Sequence, residues 1–462
     1  MFRIYIDKII AYGYNCYINE SGSSVMVMEK LLKMNGSPCG CGKKHEFNSE
    51  IIVGHGAINK VVGVIKKLGC KKPYVLSDKN TFMAGAQKVL NLLDNAGIKY
   101  QSFSFDENIL EPDEKTVGSA FMHLSKDCDM IIGVGSGVIN DTAKLLSMHS
   151  GLKYVIVATA PSMDGYASMT SSMTRDGLKI SLPSRCADVI IGDNDILESA
   201  PKKMLLAGIG DMLAKYVSIC EWRIANLICG EYYCEEIAEL IRLAVGRIVQ
   251  SVDNLSSGKT EVVSAVFDGL TAGSVAMNYA GISRPASGVE HYMSHVWDMR
   301  GAEFGEKVEL HGLQCAVGTF KAIKLYEKLK TIIPNKEKAK HYVNNFNYER
   351  WSAVLTEFLG TSAKNMIALE KTEGKYDLDK HAKRLEVIVD KWDEIIKIIN
   401  EELPAIGKIE KFYDKLGLPK TMKDIGLDDE LLSITFKCTK DIRDKYVLSR
   451  LCWDLGIIDE MV

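Results

Sequence analysis

The stretch DMIIGVGSGVINDTAKLLS, residues 129–147, contains a strand, a glycine turn and a helix in immediate succession. Its first part is apolar on both faces, which is typical of a strand inside a parallel sheet covered by helices. The turn carries Gly133, Gly135 and Gly137, with Ser136 between the last two, and helical periodicity follows. This order of elements predicts an α/β domain of the Rossmann type.

Similar apolar runs lie on both sides of this stretch, and helix-like segments separate them. These runs are YVLSD (74–78), YVIVATAPS (154–162) and DVIIGDND (188–195). Beyond about Pro201 the pattern changes to long amphipathic runs with almost no strand candidates. We therefore predict a Rossmann-like α/β domain with a parallel sheet over residues 1–200 and an all-helical domain over residues 201–462. A ligand site is expected in the cleft between them.

The composition is that of an ordinary globular chain without a basic excess. Of the 462 residues, 25% are charged and the formal net charge is -3, so nucleic-acid binding is not expected. No run approaches about 18 uninterrupted apolar residues, so we predict no membrane span, and charges interrupt any export signal at the N-terminus. The 12 cysteines are scattered, which favours reduced thiols and a cytoplasmic location.

The glycine turn has the composition of a phosphate-binding loop. Glycines let backbone amides approach a phosphate closely, and the start of a helix favours its negative charge. Asp141 and Lys144, one turn later, can hydrogen-bond a cofactor or each other. Asp78 ends the strand YVLSD, where its carboxylate can accept hydrogen bonds from ribose hydroxyls and favours NAD over NADP. Two alternatives stay open, a steric role for the glycines and a capping role for Asp78.

Three histidines and one carboxylate are the metal candidates. His291 and His295 stand four residues apart, which puts both imidazoles on one helix face, and His311 begins a further helical segment. Asp211 has mostly apolar neighbours, and burial of an unpaired carboxylate is costly. Imidazole nitrogens and carboxylate oxygens suit a zinc-like ion. The spacing leaves open which of His291 and His295 binds it, and whether the pair simply lies on a solvated helix.

Five motifs together resemble a known family. In order and spacing, the motifs GVGSGVINDTAK, ATAPSMDGYAS, AGIGDMLAKY, SRPASGVEHYMSH and HGLQCAVGT resemble those of the sn-glycerol-1-phosphate dehydrogenases, especially the AraM-like bacterial branch. These enzymes belong to the superfamily of iron-containing alcohol dehydrogenases, glycerol dehydrogenases and dehydroquinate synthases. The resemblance runs from about Cys39 to the C-terminus. It implies a dehydroquinate synthase-like architecture with the active site in the interdomain cleft.

The resemblance also implies roles for individual residues. It makes Asp211, His291 and His311 the metal ligands, and it places His295 beside them as a proton relay or substrate contact. Asp164 is implied as a partner of a substrate hydroxyl. The implied cofactor-binding residues are Asp78, Gly133, Gly135, Ser136, Gly137, Asp141, Thr159, Ser162 and Ser168.

The implied reaction is reversible hydride transfer between NAD(P)H and dihydroxyacetone phosphate, giving sn-glycerol 1-phosphate. One divalent ion, Ni, Zn or Fe, would act as a Lewis acid on the C2 oxygen. Arg284 is the first candidate for binding the substrate phosphate, with a structural role as its alternative, and Lys203 and Lys215 are weaker candidates. The resemblance further implies a homo-oligomer, a dimer or larger.

Three alternative functions stay open, and two segments of the chain have no role in this interpretation. A plain glycerol or alcohol dehydrogenase would lack the segment SRPASG. A dehydroquinate synthase-type lyase normally has Glu in place of Asp211, and a non-catalytic NAD-binding protein would not need the metal residues.

Residues 1–22 have no counterpart that we can place. In the predicted hairpin of about residues 36–50, Cys39, Cys41 and His45 offer three ligands where structural zinc takes four, which favours buried thiols.

Overall fold

The computed structural model describes residues 24–107, 110–175, 178–253 and 258–462. Residues 1–22 of the predicted N-terminal extension lie outside this part of the chain. The strands are β1 (Glu50–Gly54), β2 (Pro73–Asp78), β3 (Gln101–Phe105), β4 (Met130–Gly135), β5 (Lys153–Ala158), β6 (Thr170–Arg175), β7 (Leu178–Pro183) and β8 (Val189–Asp193). Six of them form one sheet in the order β1-β8-β5-β4-β2-β3, in which every neighbouring pair is parallel. The remaining two, β6 and β7, form a separate two-stranded sheet.

The predicted sheet is confirmed, and its central strands are the apolar runs of the sequence. All side chains of β4 and β8 are buried, because helices cover the parallel sheet. Val75, Ile132, Val157 and Ile191 contribute to one apolar cluster on the sheet. The edge strand β3, QSFSF, is only partly buried, and its mixed composition gave no strong signal in the sequence.

The strand order places the ends of β2 and β4 side by side. Leu76 of β2 pairs with Gly133 of β4, while β3 pairs with the other edge of β2. The chain therefore leaves the sheet after β2, adds β3 on the outside, and returns on the inner side of β2. This reversal is the switch point at which open α/β sheets bind ligands, outside the carboxyl ends of the strands.

Helices precede, separate and follow the strands along the chain. They are α1 (Ser24–Met34), α2 (Val61–Lys67), α3 (Gln87–Asn95), α4 (Glu114–Met122), α5 (Gly137–Ser150), α6 (Asn194–Ser199), α7 (Lys202–Leu213), α8 (Lys215–Cys229), α9 (Glu235–Asp253), α10 (Lys259–Ala280), α11 (Val289–Phe304) and α12 (His311–Leu329). A short helical turn, Lys79–Thr81, and a π-helical turn, Phe82–Ala86, lead into α3. The C-terminal helices are α13 (Lys336–Asn344), α14 (Tyr348–Leu359), α15 (Ala363–Glu373), α16 (Leu378–Asp390), α17 (Trp392–Glu402), α18 (Ile406–Leu416), α19 (Leu432–Thr439), α20 (Leu448–Asp454) and α21 (Ile458–Met461). Short 3-10 turns add Ala57–Lys60, Gly360–Ser362, Lys423–Ile425 and Asp429–Leu431. Among the described residues, every regular element after β8 is helical, as predicted.

The chain forms two compact units, and their boundaries differ from the predicted boundary at residue 200. The first contains the described parts of 1–176, 180–212 and 239–281, and the second contains the described parts of 177–179, 213–238 and 282–462. Helix α10 belongs with the sheet because it packs closely on it: a Cβ atom on Gly192 of β8 would lie 2.3 Å from the ring of Phe267. No helix in the described part of the chain has the length and apolar character of a membrane span.

Candidate active site

The glycine turn in the first unit leaves room for a ligand at one of its three glycines. A Cβ atom on Gly135 would lie 2.5 Å from Ile139, and one on Gly133 would lie 3.2 Å from the hydroxyl of Tyr154, so packing within the chain requires both glycines. A Cβ atom on Gly137 would meet no atom nearer than 3.9 Å, in Met163. Because packing does not require Gly137, close approach of a ligand to the backbone is the better reason for its presence.

The start of α5 fits the phosphates of a dinucleotide. Ser136 is its N-cap residue, and its side chain makes no capping hydrogen bond. Instead, the Ser136 hydroxyl lies 2.6 Å from that of Ser162. The backbone N–H groups at the start of this helix point out of its end, where an anion is favoured. These residues therefore fit the pyrophosphate of NAD(P).

Asp78 lies beside the glycine turn because β2 and β4 are neighbours in the sheet. One of its carboxylate oxygens accepts hydrogen bonds from the backbone N–H groups of Asn80 and Thr81, at 2.8 and 2.9 Å. Asp78 thus has the capping role that the sequence had left open. A carboxylate has two oxygens, so this cap is compatible with a hydrogen bond from a ribose hydroxyl as well.

Asp141 and Lys144 hold the loop that follows β5. The Lys144 ammonium is fully buried, pairs with Asp141 at 2.9 Å and donates to the carbonyl oxygen of Gly165 at 3.1 Å. Asp141 also accepts a hydrogen bond from the backbone N–H of Ser172, at 3.0 Å. Cofactor contact had been expected of Asp141, but the contacts observed here are with the chain itself, because the buried ammonium needs a charged partner.

Tyr166 braces the same loop against the glycine turn, and sequence reasoning had missed it. Its hydroxyl donates to the carbonyl oxygen of Ala160 at 2.7 Å and lies 3.2 Å from the Ser136 hydroxyl. Thr159 is buried and donates its backbone N–H to the carbonyl oxygen of Gly135. Ser168 is buried and hydrogen-bonds to Thr170. The loop therefore has a defined conformation against the turn.

Asp211 is held close to Asp164 within the first unit. The backbone N–H of Asp164 donates to the Asp211 carboxylate at 2.9 Å, and the Ser274 hydroxyl donates to the carbonyl oxygen of Asp164. Asp211 is fully buried. Gly208 has no side chain, so α7 can approach the loop closely. The Asp211 carboxylate therefore reaches the backbone of the loop.

The second unit brings three histidines together on α11 and α12. The ring centroids of His291 and His311 are 5.1 Å apart, and those of His295 and His311 are 6.3 Å apart. The Nδ1 atom of His291 lies 2.8 Å from a carboxylate oxygen of Glu290, and that of His311 lies 3.1 Å from the hydroxyl of Ser294. Such contacts fix the ring orientation and favour Nε2 as the metal-binding atom.

A thiol that sequence reasoning had not singled out joins this histidine pair. Potential ligand atoms of His291, His311 and Cys315 all lie within 4.8 Å of one another. The Cys315 thiol stands one turn after His311 and 3.5 Å from its Nε2 atom. Burial raises the pKa of Cys315, but the imidazoles of His291 and His311 outweigh burial and lower it overall. The i, i+4 spacing of HGLQC was the signal in the sequence.

Arg284 has a structural partner in the second unit. Its guanidinium is buried, forms a two-pronged ion pair with the Glu231 carboxylate and donates to the carbonyl oxygen of Tyr446 at 2.9 Å. This arrangement matches the structural alternative for Arg284, because the bidentate pair engages the fork of the guanidinium. Of the weaker candidates, Lys203 is exposed and Lys215 is fully buried.

Arg443 and Lys445 supply cations beside the histidines, and sequence reasoning had not singled them out. Burial and the charges of Arg443, His311, His291 and Lys445 hold the pKa of His295 well below its usual value, so this imidazole is neutral at pH 7. Burial and the charges of Arg284 and Arg443 lower the pKa of Lys445 to about 7. The Lys445 ammonium donates to the carbonyl oxygen of Ser287 at 2.8 Å and lies 5.7 Å from the centre of the Tyr292 ring.

Two buried carboxylates support the start of α11. Glu221 accepts hydrogen bonds from the backbone N–H groups of Val289 and Leu448, at 2.9 and 2.8 Å. Burial and the neighbouring Glu290 raise the pKa of Glu221 to about 8. A Cβ atom on Gly288 would lie 2.6 Å from a Glu221 oxygen and 2.7 Å from a Glu290 oxygen. Glycine before α11 is therefore what lets Glu290 reach the Nδ1 atom of His291.

The chain is similar to several known dehydrogenases in sequence and in fold. Residues 52–201 match the family model described as iron-containing alcohol dehydrogenase. A glycerol-1-phosphate dehydrogenase [NAD(P)+] of Halalkalibacterium halodurans is 26% identical over 424 residues, covering 91% of this chain and 96% of the relative. The enzyme of that name from Methanosarcina barkeri is 33% identical over 278 residues, covering 60% of this chain and 76% of the relative. The crystal structure of glycerol dehydrogenase from Schizosaccharomyces pombe superposes with a TM-score of 0.56 at 17% identity, covering 93% and 92% of the two chains.

Proposed function

The chain is an NAD(P)-dependent oxidoreductase of the iron-containing alcohol dehydrogenase family, and we propose that it reduces dihydroxyacetone phosphate to sn-glycerol 1-phosphate. The observation that carries this proposal is the pair of cations, Arg443 and Lys445, beside the histidines of α11. The Lys445 ammonium lies 5.7 Å from the centre of the Tyr292 ring, next to His291, and the charges of both cations lower the pKa of His295. A phosphorylated substrate needs such cations, whereas glycerol and simple alcohols do not. The relatives named glycerol-1-phosphate dehydrogenase support the same substrate.

When bound, a reduced nicotinamide would supply the hydride for C2 of the ketone, and the C2 oxygen would take up a proton. Gly137 and Ser136, at the start of α5, would hold the phosphates of NAD(P)H, and Asp78 would accept a hydrogen bond from a ribose hydroxyl. Asp164 accepts a hydrogen bond from a substrate hydroxyl. Arg443 and Lys445 bind the substrate phosphate.

We further propose that Asp211, His291 and His311 hold one divalent ion. One carboxylate and two imidazoles suit zinc, nickel or iron(II). When bound, such an ion acts as a Lewis acid on the C2 oxygen. His295 is neutral, so it can accept a proton at one ring nitrogen and donate one from the other, which makes it a relay between the substrate and water.

The testing experiment compares the phosphorylated and unphosphorylated ketones. The protein is freed of metal by chelation, reloaded with Ni, Zn or Fe(II), and assayed for NADH and NADPH oxidation. We expect metal-dependent oxidation with dihydroxyacetone phosphate, little with dihydroxyacetone, and an sn-1 product on chiral analysis. Activity on the unphosphorylated ketone alone, or an sn-3 product, would overturn the proposal.

A further inference from the structure

A closed loop near the start of the described chain presents three side chains of types that bind metals, and the proposed function does not use them. Asn35 and Phe47 close the loop: the Phe47 backbone N–H donates to the Asn35 side chain at 2.8 Å, and the Asn35 amide donates back to the Phe47 carbonyl oxygen at 3.0 Å. Gly36 donates its backbone N–H to the carbonyl oxygen of His45 at 2.7 Å. Cys39, Cys41 and His45 lie inside this closure.

The tip of the loop is a tight turn that directs the two thiols to the same place. Pro38 and Lys44 form an antiparallel bridge, and the backbone N–H of Gly42 donates to the carbonyl oxygen of Cys39 at 2.9 Å. Gly42 has φ of 82°, a left-handed conformation that side chains disfavour. Potential ligand atoms of Cys39, Cys41 and His45 consequently lie within 4.8 Å of one another.

His45 is oriented as metal-binding histidines are. Its Nδ1 atom lies 2.9 Å from the carbonyl oxygen of Tyr279. A carbonyl oxygen only accepts hydrogen bonds, so Nδ1 carries the proton and Nε2 has the lone pair. That Nε2 atom faces the Cys41 sulfur at 3.4 Å, and the imidazole is buried. A backbone carbonyl that fixes the tautomer in this way is the usual support of a zinc-binding histidine.

We propose that Cys39, Cys41 and His45 bind a structural Zn²⁺ ion that is distinct from the ion of the proposed active site. Thiolate and imidazole are the donors that zinc prefers in structural sites, and such sites take four ligands in a tetrahedron. A further donor is therefore required, and another cysteine is the expected one. Cys234, which is buried immediately before α9, is the first cysteine to replace in a test for this fourth ligand.

The bound ion would tie this loop to the C-terminal end of α10. Tyr279, whose carbonyl oxygen supports His45, lies in the last turn of that helix. Its ring centroid lies 5.5 Å from that of His45, and its hydroxyl donates to the carbonyl oxygen of Leu31 in α1 at 3.1 Å. Metal binding would thus stabilise the packing of α1 and the loop on α10, as structural zinc does in small loops with little core of their own.

The test is metal analysis and Co²⁺ spectroscopy on the full chain, in a Cys315→Ser background so that no thiol remains beside His291 and His311. Metal-free protein is titrated with Co²⁺, and thiolate-to-cobalt charge-transfer absorption is recorded. We expect this absorption, visible bands typical of tetrahedral cobalt, and a Zn²⁺ content of one ion per chain beyond that held by the proposed active site. Cys39→Ser and Cys41→Ser should each remove the absorption and one equivalent of metal.

Two control variants separate this site from the proposed active site and from a general effect on folding. Cys70→Ser, at a partly buried thiol of the same unit, should keep the absorption. His291→Ala should lower the total metal content but keep the absorption, so failure of the proposed function leaves this result unchanged. No thiolate absorption in the parent protein, absorption that survives loss of Cys39 and Cys41, or a disulfide between these two cysteines under reducing conditions would overturn the proposal.

Discussion

A Cβ atom on Gly208 would lie 2.0 Å from the carbonyl oxygen of Pro161. Helix α7 therefore approaches the loop after β5 more closely than any side chain would allow. One turn later, the same helix presents the Asp211 carboxylate to the backbone N–H of Asp164. The position of this carboxylate thus depends on a glycine, which has no side chain.

We predict that Gly208→Ala displaces α7 from the loop. The free energy of unfolding should fall by about 1 to 3 kcal/mol, the usual cost of overpacking, and metal content and kcat should fall with it. Gly246→Ala is the matched control, since Gly246 lies on α9 with no atom within 4 Å of an added Cβ. That control should be neutral or slightly stabilising. Full metal content in the Gly208→Ala variant would contradict the role given to Gly208.

Gly137→Ala should act on the coenzyme without affecting the fold. The added methyl group would meet no atom nearer than 3.9 Å, and alanine favours the start of α5. Because it would stand where a phosphate approaches the backbone, KM for NADH should rise by about tenfold, the loss of one or two hydrogen bonds. Steady-state kinetics and thermal unfolding measure the two effects. The control is Gly118→Ala, on α4, where an added Cβ would have no atom within 4 Å. An unchanged KM would favour a purely steric role for the turn.

Alanine variants of the three histidines should differ in metal content. His291→Ala and His311→Ala should empty the proposed metal site, because each removes a ligand. His295→Ala should keep the metal and lose turnover, because a neutral relay is removed. Metal analysis and kcat on the same preparations test this division. Equal metal loss in all three variants would show that His295 is a ligand as well.

Binding of the substrate phosphate should weaken as the pH rises. The pKa of Lys445 is lowered to about 7, so its ammonium is present below that pH and is lost above it. The second ionisation of a phosphate ester lies near pH 6, so the substrate is a dianion throughout this range. KM for dihydroxyacetone phosphate should therefore rise by up to about tenfold per pH unit above 7.

KM for NADH provides the internal control for this pH dependence, and Lys445→Arg provides the matched variant. The guanidinium keeps its charge at all these pH values, so the variant should show a flat KM for the substrate up to about pH 9. A rise of the same size in the variant would assign the titration to another group.

Arg284→Met should affect stability more than substrate binding. It would leave the Glu231 carboxylate without its buried partner, and breaking such a pair costs about 3 kcal/mol or more. Chemical unfolding monitored by circular dichroism measures the loss, and Glu231→Gln, which breaks the pair from its other side, is the companion variant. If Arg284→Met instead raises KM for dihydroxyacetone phosphate with unchanged stability, Arg284 binds the phosphate after all.

The fold was readable from the sequence because its central strands are continuous apolar runs. The strand order was not readable, since it depends on packing between segments far apart in the chain. Asp78 illustrates the limit: it stands well before Gly133 in the chain, yet the pairing of Leu76 with Gly133 brings the two strand ends together.

The candidate site was only partly readable for a similar reason. The histidines and Asp211 stand in motifs with recognisable spacing, whereas Arg443 and Lys445 lie in a segment without regular periodicity. Arg284 lies seven residues before His291 in the sequence, but sequence distance does not show that Glu231 pairs with it. Charge partners of buried groups are tertiary properties, and a single sequence does not contain them.

The excursion of the chain between β2 and β4 also bears on how such proteins diversify. The connection from β2 to β4 starts and finishes at neighbouring strands and places β3 at the edge of the sheet. Its helix α3, in contrast, packs on the apolar cluster of the sheet through Val89 and Leu93. Evolution can therefore vary the edge strand β3 more freely than α3, because only α3 shares the core of the sheet. A laboratory chimera that replaces the whole segment with its counterpart from a relative should fold only if the incoming helix matches the apolar face of α3.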